Sequence, residues 1–195
     1  VFDYLLAEQE VDRAMFDRQI DLIMKDFAPV AQKFLKHVAK VNGLEKMTFA
    51  DWKLDLDSAL NPDVTIDDAY DLVMKSVAPL GEEYSREIAR YQTERWVDFA
   101  ANEGKDSGGY AADPYRVHPY VLMSWTGRMS DVYTLIHEIG HSGQFIFSDN
   151  NQSYFNAHMS TYYVEAPSTF NELLLSDYLE QQFDDPRQKR FALAH

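Results

Sequence analysis

The chain contains no cysteine. That excludes disulfide frameworks, thiolate zinc sites and iron–sulfur clusters, and permits a reducing compartment. No apolar run approaches the ~18 residues that would signal a membrane span. Basic residues are scarce: Lys and Arg number 18 against 32 Asp and Glu, a formal net charge of −14. A surface this acidic repels nucleic-acid phosphates and anionic lipid, so no nucleic acid and no membrane is expected as a partner. Repeats and low-complexity tracts are missing as well. What remains is a globular composition, 46% hydrophobic and 14% aromatic, too apolar for wholesale disorder. At 195 residues, a chain can bury roughly 70% of its unfolded surface.

The first residue is Val1, and 1–6 already follow an amphipathic helical pattern. Pro186 heads a new helical pattern that runs to His195. Residues 1–195 are therefore expected to be a single piece of a longer protein, truncated at both ends. Over residues 1–42, Leu5, Val11, Met15, Ile20, Ile23, Phe27, Val30, Phe34, Val38 and Val41 recur near helical spacing. Pro29 is expected to break or kink that run, and Gly43 to end it. Thr48 with Asp51 reads as the start of a short helix. Asn61-Pro62-Asp63 reads as a turn, and Thr65-Ile66-Asp67-Asp68 as a helix start with acids in its first turn. Pro79 interrupts the following helix, which resumes to about Phe99. Gly104 to Tyr110 reads as a loop, and His118 to Trp125 as a strand. Ser130 or Asp131 is expected to cap a helix through about Phe147. Asp149-Asn150-Asn151 reads as a loop, with more helix around Tyr162 to Phe183. The class is mainly α, with a small β element before the helix that carries the chemistry.

That helix contains His137-Glu138-Ile139-Gly140-His141. Residues four apart on a helix share a face, so the two imidazoles can aim at one ion while Glu138 holds a metal-bound water. This is the arrangement of zinc hydrolases. A catalytic zinc also needs a third protein ligand. Gln144 and Phe147 stand where metzincin spacing would require Gly and His, so that class is excluded. Two carboxylates remain on a downstream helix, Glu165 and Glu172, seven residues apart on one face. One is expected to bind metal and the other to orient a ligand. A di-iron site would need a second Glu-x-x-His, and the sequence has none. An inactive helical metal-binding homologue or scaffold is the alternative, disfavoured by the intact Glu138.

The sequence resembles the oligoendopeptidase F branch of the thimet oligopeptidase family of zinc metallopeptidases. The likeness is carried by Gly104–Tyr110, His118–Gly127, Asp131–Ser142 and Glu165–Glu172, and more weakly by Pro79–Tyr84 and Arg95–Asp98. It spans most of residues 65–182. The resemblance implies His137, His141 and Glu165 as ligands of one zinc ion per chain and Glu138 as general base. It implies a helical zinc-peptidase catalytic domain, of which this chain is a fragment. It also implies a cytoplasmic metalloendopeptidase that hydrolyses oligopeptides. The Tyr and His residues that steady the oxyanion in that family follow the third ligand, beyond His195. The family's loop usually carries a basic residue and an Ala where this chain has Asp106 and Gly109. Of the other histidines, His158 lies seven residues before Glu165 and reads either as a residue approaching the site or as a surface or packing histidine. His118 reads as structural, and His37 and His195 as surface. If Tyr120–Trp125 edges the cleft, its free backbone groups can pair with an extended peptide.

Overall fold

A computed structural model describes residues 2–54 and 61–194. The chain divides into two compact units, Val1–Ala59 and Leu60–His195, taken here one at a time. His195 lies outside the described residues.

In the first unit, α1 (Phe2–Glu8) leads to α2 (Arg13–Leu22), which Asp12 starts by accepting a hydrogen bond from the Ala14 backbone N–H at 2.6 Å. A π-helical turn, Ile23–Phe27, joins α2 to α3 (Ala28–Val41). Pro29 does not break the run, although the helix leaves α geometry in the π-helical turn just before it. It falls in the first turn of α3, directly after a turn already bonded one residue wider, where a missing N–H is tolerated. Thr48 and Asp51 form a reciprocal cap on the 3₁₀ turn Phe49–Lys53. Asp51 accepts from the Thr48 backbone N–H and hydroxyl, both at 2.7 Å. Those two donors hold the Asp51 carboxyl below the usual aspartate range.

The second unit is built around one helix. Asn61-Pro62-Asp63 leads into Thr65, whose hydroxyl accepts from the Asp68 N–H to start α4 (Ile66–Val77). Ala69, Val73 and Val77 recur at four-residue spacing on α4 and are fully buried. Pro79 then interrupts as expected, in a 3₁₀ turn over Ala78–Leu80. Gly81, at φ +95°, redirects the chain into α5 (Glu82–Thr93). Three short strands follow: β1 (Val97–Asp98), β2 (Gly109–Ala112) and β3 (Tyr120–Met123), in the order β1-β3-β2. β1 runs parallel to β3 and β2 antiparallel to it, with Gly109 opposite Met123 and Ala111 opposite Val121. Gly109 and Tyr110 thus belong to a strand, although their Gly-rich surroundings read as loop. The strand expected over His118–Trp125 narrows to Tyr120–Met123, and it lies at the centre of the sheet. Both of its edges are taken, so it cannot accept a peptide; β1 and β2 are the outer strands.

The central helix is α6 (Met129–Asn151). Its N-cap is Arg128 rather than Ser130 or Asp131. Asp131 does the capping from inside the first turn, accepting from Thr126 N–H (2.7 Å), Thr126 hydroxyl (2.9 Å) and Arg128 N–H (3.1 Å). The helix also runs through Asp149–Asn151, read above as a loop. Asp149 stays in it because its carboxylate accepts the Arg116 N–H at 2.6 Å, and Asn151 donates its side-chain amide to Phe147 O at 2.8 Å. After α7 (Tyr154–Ala157) come α8 (Glu165–Gln182) and α9 (Pro186–Ala194). Val132, Leu135, Ile136 and Ile139 of α6 pack with Leu175 and Leu179 of α8, Val73 and Val77 of α4, Ile88 of α5 and Trp96. Burying each such side chain contributes about 1.5–3 kcal/mol. α6 is enclosed by its neighbours, and it buries the polar Glu138, His141, Ser142 and Asp149 along with its apolar residues.

Candidate metal centre

α6 and α8 face each other across their first halves, and that contact assembles the candidate residues. A Cβ built on Gly140 would sit 2.7 Å from Ser168 Cα and 2.8 Å from Pro167 O. Only a residue without a side chain lets the two backbones approach this closely. Gly140 lies between His137 and His141, so this close approach falls at the level of the two imidazoles.

His137 and His141 project side by side, with ring centroids 4.9 Å apart and planes 81° from parallel. Glu165 opens α8 and turns one carboxylate oxygen, Oε2, toward both. That oxygen is 3.2 Å from His137 Nε2 and 3.3 Å from His141 Nε2. One donor atom from each of the three residues lies within 4.8 Å of the others. Two imidazole nitrogens and one carboxylate oxygen form a borderline-soft donor set, which fits zinc, and three protein ligands leave a fourth position for chemistry.

Glu172, two turns further along α8, contacts the other side of the first imidazole, with His137 Nδ1 2.5 Å from Glu172 Oε1. A carboxylate only accepts, so the ring donates its Nδ1–H to Glu172. Of the two glutamates that spacing left open, Glu165 faces the Nε2 atoms of both imidazoles and Glu172 the Nδ1 side of His137. The Glu172 hydrogen bond is also the main reason the His137 imidazole is pushed above its ordinary value. His141 moves the other way. Burial pushes it down, and Glu165 opposes that only in part.

Glu138 is buried beside the pair, 6% exposed. Burial pushes its carboxyl up, His137 draws it back, and Glu165 adds to the rise. A backbone hydrogen bond from Ala111 of β2 reaches it as well. β2 lies against this side chain, since a Cβ on Gly109 would fall 2.7 Å from Glu138 Oε1.

The remaining candidates separate from the centre. His158 is exposed and points at Asp113, 3.6 Å away; among the described residues it is not one of the convergent donors. His118 is half-buried, stacked on Trp96 at 5.8 Å and against Tyr120 at 4.4 Å, the structural role expected of it. His37 is exposed, as expected. One neighbour of the site escaped sequence reasoning. Ser168, fully buried, donates its hydroxyl toward Glu165 Oε2 at 2.8 Å. Its only sequence signal is a position one turn after a candidate ligand.

Comparison with known proteins bears on the same region. The chain is 32% identical over 190 residues to oligopeptidase PepF of Bacillus subtilis (strain 168), covering 97% of this chain and 28% of that protein. It is 38% identical over 100 residues to the chromosomal oligoendopeptidase F of Lactococcus lactis subsp. cremoris, covering 51% of this chain and 16% of the relative. The chain thus spans less than a third of the length of the relatives it matches. A solved structure from Chlamydophila abortus superposes with a TM-score of 0.75 at 31% identity, over 93% of this chain and 30% of that one. PZ peptidase A with an inhibitor gives a TM-score of 0.76 at 22% identity, over 91% and 33%, a likeness of fold. The mainly helical fold with its small sheet is thus the fold of such peptidases. No helix among the described residues is long and apolar enough to cross a membrane. The sequence pattern of peptidase family M3 matches residues 6–195, nearly the whole chain, and the chain belongs to that family.

Proposed function

We propose that this chain carries the catalytic centre of a zinc-dependent endopeptidase acting on oligopeptides, with His137, His141 and Glu165 as zinc ligands and Glu138 as general base. The observation that carries the reading is the convergence of both Nε2 atoms on one Glu165 oxygen, at 3.2 and 3.3 Å, with Glu138 buried beside them. Membership in a peptidase family and the printed names of the relatives support it. A zinc ion bound there supplies Lewis acidity for the scissile carbonyl and acidifies a water ligand.

The chain's own groups do the rest. His137 is fixed in the Nε2-ligating tautomer by Glu172. Glu138 takes the proton of the attacking water on its carboxylate and returns it to the nitrogen of the departing amine. Its place beside both imidazoles, with the Ala111 backbone N–H reaching it from β2, holds the carboxylate where that proton moves. Substrate binding by strand addition passes to β2, the one of the two outer strands that runs past Glu138. An extended peptide paired along β2 would bring its backbone carbonyls beside the centre. A cytoplasmic location belongs to the same proposal and is tested by cell fractionation.

The test of mechanism is Glu138→Gln in the full-length protein. This variant keeps the side chain's shape but cannot accept the proton. Zinc content should be retained and peptide turnover should fall at least ~10²-fold. Near-normal turnover would remove Glu138 from the mechanism, and lost zinc would recast it as a ligand.

A further inference from the structure

We propose that Ser168 is a positioning residue of the centre, holding the Glu165 oxygen that faces both histidines; this rests on the zinc reading above. Ser168 Oγ lies 2.8 Å from Glu165 Oε2 and 2.9 Å from the Glu165 backbone carbonyl. The contacted carboxylate oxygen, Oε2, is the one set 3.2 and 3.3 Å from the two imidazole nitrogens. A hydroxyl has a single proton, and of its two acceptors here the charged one is the stronger.

Glu165 needs such a partner. It is the first residue of its helix and its side chain is 60% exposed. Beyond the two imidazoles little restricts it, and a long carboxylate side chain in that setting samples several rotamers unless further hydrogen bonds select one. Ser168 is placed to select. It is fully buried, and its own Cα is clamped against Gly140 on the helix that bears both histidines. The hydroxyl therefore ties the third ligand to the frame that holds the first two. Its other bond, to the carbonyl three residues back, is an ordinary one in the first turn of a helix. A purely structural serine would need only that bond, and the carboxylate contact is the feature such a role leaves unexplained.

The experiment measures zinc dissociation constants by chelator competition at neutral pH. The full-length protein is compared with Ser168→Ala, Ser168→Cys and His141→Ala, and each zinc-free form is also melted. The expected result is a 10- to 100-fold weaker zinc affinity for Ser168→Ala, the usual range for a group that orients a ligand. The zinc-free melting temperature should stay where it was. Ser168→Cys, close in size with a weaker donor, should fall between serine and alanine and decides the case should the alanine variant fold poorly. Affinity within about twofold of the parent protein in both Ser168 variants, when orientation should be worth ten, overturns the role of Ser168 and leaves the zinc reading standing. So does a loss of affinity matched by a lowered zinc-free melting temperature, which marks a structural serine. A parent protein that takes up no zinc, or His141→Ala binding as tightly as the parent, overturns the zinc reading and this inference together.

Discussion

Gly140→Ala tests whether the close approach of α6 and α8 is what assembles the centre. The new Cβ would stand 2.7 Å from Ser168 Cα, 2.8 Å from Pro167 O and 3.0 Å from Pro167 C. Carbon atoms in contact prefer about 3.5–4.0 Å, so the helices must separate by about 0.8 Å or more at this point. All three obstructing atoms belong to the backbone or its Cα, and no side chain can swing away to relieve them. Alanine gains about 1 kcal/mol over glycine in a helix interior, while overpacking a dense core costs about 1–3 kcal/mol. Backbone obstruction puts this case at the upper end, for a net loss of about 1–2 kcal/mol, or about 2–8 °C in melting temperature. The displacement also moves Glu165 and Ser168 away from His137 and His141, so zinc affinity should fall along with stability. The comparison is Gly143→Ala, whose Cβ meets the Tyr84 side chain first, at 2.6–2.9 Å. That variant should lose stability and keep its zinc affinity. Thermal melts of the zinc-free proteins and chelator competition read the two effects separately. A Gly140→Ala protein as stable as the parent, with the same affinity, would refute the reasoning.

Glu172→Ala leaves the His137 Nδ1–H without its acceptor, and zinc should bind ~10- to 100-fold more weakly; Glu172→Gln, which keeps an acceptor oxygen, should lose less, and equal losses would contradict this. Asp131→Ala removes the acceptor of three hydrogen bonds at the start of α6 and should cost about 1–2 kcal/mol in urea unfolding, in line with lost caps; an unchanged midpoint would show that water replaces the carboxylate at no loss. Glu94 is held below the ordinary glutamate value of 4.5, first by its hydrogen bond from Arg90 and then by that from the Trp96 indole. A depressed folded value means the stabilisation is full above pH 4.5 and lost as the pH falls through the folded value. The gap in unfolding free energy between the parent and Glu94→Gln, under about 1 kcal/mol for so exposed an ion pair, should therefore close on acidification, and a gap that widens would reverse the argument.

The sequence made some of this legible because the information is local. His137 and His141 are one helical turn apart, and that spacing alone puts two imidazoles on one face. Thr65 and Pro79 act on their immediate neighbours, and both do what their chemistry predicts. Other features depend on partners distant in the chain. Gly109 and Tyr110 look like loop residues until β3 supplies the ladder opposite them. Asp149 looks like a helix stop until Arg116 N–H, 33 residues away, occupies its carboxylate. Glu165 and Glu172 are indistinguishable by spacing, since seven residues return to the same face. They differ in which edge of the His137 ring each one reaches. Ser168 was invisible because a serine in the first turn of a helix is commonplace. What sets it apart is the Gly140 contact that buries it and the carboxylate oxygen it touches.

Anomalous diffraction at the zinc edge, from crystals of the full-length protein grown with zinc, tests the central claim most directly. The account predicts one strong peak per chain, about 2.0–2.2 Å from His137 Nε2, His141 Nε2 and a Glu165 carboxylate oxygen, with Glu138 near the peak but outside its ligands. A peak held by other residues, or none between α6 and α8, would contradict it.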